Sequence, residues 1–111
     1  MATLVLVPVA AAARPPSLAE REAITLALPK YFRDAPVECI WIDIRVSRDP
    51  RFAKAGADML NLRRPRCARY AHNGFWILKK KAGTWRRIYS GSDWPPCPMR
   101  IPRDLGPCST G

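Results

Sequence analysis

Apolar and polar positions alternate most strictly between Val37 and Ser47. Ile40, Ile42, Ile44 and Val46 fall on one side of a pleated strand, and Cys39, Trp41, Asp43 and Arg45 on the other. Four β-branched residues at every second place require an apolar layer to cover them. The rest of the chain is read around this strand.

Upstream, the period changes to that of a helix. Leu18, Ala23, Ile24, Ala27, Leu28 and Tyr31 make one apolar stripe. Ser17 and Glu20 stand in capping-box spacing, where the hydroxyl takes a backbone N–H and the carboxylate reaches back. Pro29 has no N–H to donate. The pattern therefore predicts a helix from about Leu18 to near Arg33, kinked or broken at Pro29. Asp34-Ala35-Pro36 turns into the strand.

Downstream, Asp49-Pro50 reads as a helix or turn start with room for only a turn or two. Gly56 ends it, or opens a short second strand through Ala57 and Met59. Leu62 to Arg66 reads as a basic loop, and Cys67 to Ala71 as strand. Gly74 to Ser90 is a hairpin turning at Ala82-Gly83. A simple two-residue register sets Ile77 beside Ile88, Trp76 beside Tyr89 and Lys80 beside Trp85. One face then carries Phe75, Ile77 and Ile88, and the other Trp76, Leu78, Trp85 and Tyr89. Both are apolar, and one helix covers only one. The proline-rich tail forbids a regular strand; Pro102 can open one helical turn that Gly106 ends.

At 111 residues the chain is one domain, small enough to gain from covalent staples. Four cysteines allow three pairings. The expected set joins Cys97 to Cys108 across the tail, and Cys39 to Cys67. The spacings do not suit zinc, which favours close cysteine pairs, and no redox Cys-x-x-Cys is present. Disulfides call for an oxidising compartment. Leu4 to Ala13 is an apolar run ending in small residues, readable as an export signal or as a buried first strand, and too short to span a bilayer. Export is the reading adopted: residues 1–13 as a signal or its remnant, and 14–111 as a single α+β domain.

Charge then narrows the partners. Lys and Arg number 19 against 9 Asp and Glu, a net charge of +10. Such a field favours anionic partners. Arg63, Arg64, Arg66 and Arg69 form a basic run beside Tyr70. Lys79, Lys80, Lys81, Arg86 and Arg87 lie on a hairpin that also carries Trp76, Trp85 and Tyr89. Cations for phosphate and rings for base stacking are the tools of single-strand binders. Lysine-rich hairpin tips also keep edge strands from aggregating. The candidate contact residues are Trp76, Lys80, Trp85, Arg87, Tyr89, Arg63 and Arg64.

Catalytic signatures are missing: no nucleophile elbow, P-loop or dinucleotide fingerprint occurs. His72, the single histidine, has no local partner. Asp43, between Trp41 and Arg45, is the best acid/base candidate, and pairing with Arg45 is its simpler role. No cofactor or metal is expected.

The run Gly83-Thr84-Trp85-Arg86-Arg87-Ile88-Tyr89-Ser90-Gly91-Ser92, followed by Cys97, Ile101-Pro102, Leu105 and Cys108, resembles small exported domains of actinobacteria. Ile44-Arg45-Val46-Ser47 and Asp49-Pro50 match the middle element of that group. The similarity covers about Ser17 to Cys108. It implies an exported domain of cystatin-like or NTF2-like order, and it transfers no catalytic residue.

The expected architecture is α+β: one N-terminal helix on a curved antiparallel sheet of three or four strands, with a disulfide-closed C-terminal loop. The expected role is an exported, non-enzymatic binding or accessory module, monomeric or homodimeric, contacting a protein or an anionic surface. The alternatives are a basic single-stranded nucleic-acid binder and a small NTF2-like enzyme with Asp43 as base.

Overall fold

The computed structural model describes residues 13–71, 74–95 and 100–107. Helix α1 (Leu18–Leu26) and the single turn α2 (Lys30–Arg33) precede strands β1 (Ile40–Val46) and β2 (Phe52–Met59). The short α3 (Pro65–Ala68) separates these from β3 (Phe75–Lys81) and β4 (Thr84–Gly91). The four strands form one antiparallel sheet in chain order, β1-β2-β3-β4. The architecture is α+β, as the pattern predicts.

The Ser17–Glu20 capping box is formed, with both reciprocal bonds present. Arg14 reinforces it. Its guanidinium grips the Glu20 carboxylate at 2.7 and 2.9 Å, while its backbone makes a two-bond bridge to Val46. The break at Pro29 is also real. Helix α1 stops at Leu26, and α2 restarts with the Pro29 carbonyl accepting from Phe32 and Arg33. The inner stripe is Ile24, Leu28 and Phe32. Leu18, Ala23 and Tyr31, expected to lie on it, are instead exposed, Leu18 by 89%. Tyr31 leans sideways on Tyr70 and donates to the Arg69 carbonyl.

Strand β1 alternates as its sequence dictates, with Ile40, Ile42, Ile44 and Val46 buried and Trp41, Asp43 and Arg45 exposed. Its outer edge is partly covered. Arg21 reaches round from α1 to donate to the Ile42 carbonyl at 2.8 Å, and its guanidinium lies 4.4 Å above the Trp41 ring. A charged side chain over an open edge discourages pairing with another strand.

Asp49-Pro50 opens a turn as expected: the Phe52 N–H donates to the Asp49 carbonyl at 3.0 Å and the Arg51 N–H to the Asp49 carboxylate at 3.2 Å. What departs from expectation is the sequel, since no helix follows and strand begins at Phe52, not after Gly56. Alanine favours helix in isolation, but hydrogen bonding to neighbours on both sides overrides that preference. Ala53 and Ala55 are fully buried within the core cluster, where small side chains leave room for Ile24, Leu28 and Phe32. Cys67 to Ala71 is not strand either. Pro65 starts a helical turn, and Cys67 on it forms a buried disulfide with Cys39. The expected Cys97–Cys108 bridge lies outside the described residues.

Candidate functional site

The hairpin decides which side chains remain available. Its tip follows the simple register, with Lys81 opposite Thr84, Lys80 opposite Trp85 and Lys79 opposite Arg86. Between Ile77 and Leu78 the register shifts by one residue, so Leu78 faces Arg87 while Ile77 faces Tyr89. A one-residue slip turns every later side chain to the other face. Tyr89 therefore stands with Phe75, ring centroids 5.9 Å apart, on the side away from the helix. Gly91 makes room for it: a Cβ there would sit 2.7 Å from the Tyr89 hydroxyl.

This placement corrects the aromatic surface. Trp76 and Trp85 are only 2% and 6% exposed and belong to the core under the helix, where Trp76 meets Phe32 at 4.8 Å. They are not open to a ligand. The tail accounts for much of the opposite face. Trp94 packs on Phe75 at 4.7 Å and lies so close over Gly106 that a Cβ there would be 2.0 Å from its ring. Asp104 accepts from the Ser47 hydroxyl at 2.7 Å and from the Arg48 N–H at 2.6 Å, fixing the tail to the β1–β2 turn. Ile77, on this same face, is fully buried.

What the hairpin does present is cationic. Lys79, Lys81 and Arg86 project on the tail side, and Lys80 and Arg87 on the helix side. Strands β3 and β4 contain no Asp or Glu. Among the described residues none of these five side chains is ion-paired; the pairs that form involve other cations. Asp49 feels the charge of Lys79 but is engaged by Arg51 at 2.8 and 3.0 Å, and those bonds hold its carboxyl below the usual range. The Phe52 ring lies near Lys79 and Arg51, and Lys80 sits 5.9 Å from the Trp85 ring. Arg63 and Arg64 are exposed on the loop before α3, separate from the hairpin in the chain.

A second feature lies behind β1 and β2. A cleft of about 270 Å³ is lined by Asp43, Arg45, Lys54, Gly56, Asp58 and Phe75, with Ala57, Gly74 and Ser92 at its margin. Asp43 and Arg45 are about half exposed and loosely paired at 3.8 Å. Sequence reasoning singled out Asp43 but not the cleft, which register alone assembles. The space between helix and sheet, where an NTF2-like pocket would open, is filled by Ile40, Ile42, Ile44 and Leu78. Asp43 points away from it.

Among the described residues no group of three or more His, Cys, Asp and Glu side chains is placed to hold a metal. No helix among them is long and apolar enough to cross a membrane. No family model matches the chain, and no curated protein or solved structure matches it either.

Proposed function

We propose that the chain is an exported, disulfide-stapled binding module that attaches through its basic hairpin to an anionic surface outside the cytoplasm, an acidic lipid or a phosphate-bearing envelope polymer. The observation that carries this is the direct opposition of Lys79 and Arg86 on a ribbon without acidic residues. Like charges facing each other across two strands destabilise the pair. An array of negative groups relieves that repulsion. The buried Cys39–Cys67 disulfide supports a location where thiols oxidise. The burial of Trp76 and Trp85 weighs against a single-strand binder, since the rings that stack bases are occupied.

Vesicle co-sedimentation tests the proposal. The protein is expected to bind phosphatidylcholine vesicles only when they contain phosphatidylglycerol, and added salt should release it. Each basic residue near such a surface contributes about 1 kcal/mol, so changing Lys79, Lys81 and Arg86 together to Gln should weaken binding about 100-fold. Equal binding to neutral vesicles, or an unaffected triple variant, overturns it. Tighter binding to a single-stranded oligonucleotide than to acidic vesicles at the same salt would replace it with the nucleic-acid reading.

A further inference from the structure

The cleft behind β1 and β2 has the chemistry of a separate small-ligand site. Its floor is Gly56, and an added Cβ there would meet nothing within 4 Å. Its charges are sorted along β2. At one end Arg45 and Lys54 stand directly opposite each other, again a repulsive cross-strand pair. The Lys54 ammonium is held 4.6 Å from the Trp94 ring and 5.2 Å from Phe75, and is not ion-paired among the described residues. At the other end is Asp58, likewise not ion-paired among them, while Asp43 stands opposite Gly56 in the middle. Arg45 and Asp43 are paired only loosely, at 3.8 Å, so a carboxylate drawn to the Arg45–Lys54 end and an ammonium drawn to the Asp58–Asp43 end can each exchange that contact for their own.

Separation sets the length of the ligand. Lys54 and Asp58 are four residues apart on β2, about 13 Å between Cα atoms, and Lys54 leans toward Phe75, opposite Gly56, which shortens the gap. A peptide of about two or three residues spans what remains. We infer that this cleft binds a short zwitterionic peptide, its terminal carboxylate between Arg45 and Lys54, its ammonium at Asp58 and Asp43, and its middle laid on Gly56 against Phe75. A lone phosphate or a simple amine satisfies only one end.

Calorimetric titration with trialanine tests this. Saturable binding with a Kd at or below about 1 mM is expected. Acetylating the peptide amine or amidating its carboxylate should each weaken it about tenfold, the loss of one charge-assisted contact. Gly56→Val should abolish binding with Tm unchanged or raised, because the new side chain enters empty space and valine suits a strand. Should that variant fail to fold, Lys54→Met replaces it, again with loss of binding expected. The Lys79, Lys81 and Arg86 triple Gln variant should bind trialanine normally, which separates this site from the hairpin. No saturable binding, indifference to capping, binding retained in Gly56→Val or Lys54→Met, or loss in the hairpin variant overturns the inference.

Discussion

The two faces of β1 are built from alternate residues of one strand yet serve opposite ends. Ile40, Ile42, Ile44 and Val46 are buried against the helical layer, with Ile44 only 2% exposed. Trp41, Asp43 and Arg45, interleaved with them, are exposed, and Asp43 and Arg45 border an open polar cleft. A two-residue period thus divides the strand into a stabilising side and a chemical side. Cys39 is the exception. It has the parity of Asp43 but sits in the turn before the strand, where the alternation does not hold, and it is fully buried in its disulfide with Cys67 of α3.

The sharpest way to break this comparison is to mutate neighbours. Ile44→Ala should cost about 4 kcal/mol in denaturant unfolding, the transfer and cavity terms of a buried isoleucine. Asp43→Asn, one residue away, should change stability by less than about 0.5 kcal/mol, since its pair with Arg45 is half exposed. Similar losses at both positions would refute the division. Next in size is the exception. Replacing Cys39 and Cys67 together by Ala opens a link across a sequence separation of 28. The chain-entropy model puts the cost at about 3.5 kcal/mol, measurable as a lower urea midpoint.

Smaller still is the Arg14–Glu20 clamp beside the stabilising face. The Arg14 hydrogen bond first, then the Ser17 backbone bond, lower the Glu20 carboxyl from its ordinary 4.5 to about 2. A folded-state pKa below the unfolded one adds stability that is present above 4.5 and lost as pH falls through about 2. Solvent around the half-exposed Arg14 trims the gain to about 1 kcal/mol. Glu20→Gln should lower stability by that amount at neutral pH, by much less near pH 2 and by nothing well below it, in unfolding curves across that range. The smallest effect has the opposite sign. Lys79→Gln should stabilise the hairpin by about 0.5 kcal/mol by removing the repulsion from Arg86.

Local patterns made part of this legible. The β1 alternation, the capping box, the break at Pro29 and the hairpin tip are each written within a few neighbouring residues. Strand β2 was not, because Ala53, Gly56 and Ala57 have weak strand preference and become sheet only through partners on both sides. The bulge beside Ile88 was not visible either, although Gly91 two places after Tyr89 hints at a ring folded back on the backbone. Both hairpin faces are apolar in sequence, but which face the helix takes depends on the tail crossing the other. The cleft depends on long-range register: only β1–β2 and β2–β3 pairing bring Asp43, Gly56 and Phe75 into line.

The claim that most needs testing is that the basic hairpin, and not the open edge of β1, is the binding surface. An NMR titration of isotopically labelled protein with phosphatidylglycerol-containing vesicles reports it residue by residue. The account predicts that amide signals of Lys79 to Lys81 and of Arg86 and Arg87 broaden first, while those of Ile42 and Ile44 hold. Perturbation that begins at Ile42 and Ile44, or that spares the hairpin, would contradict it.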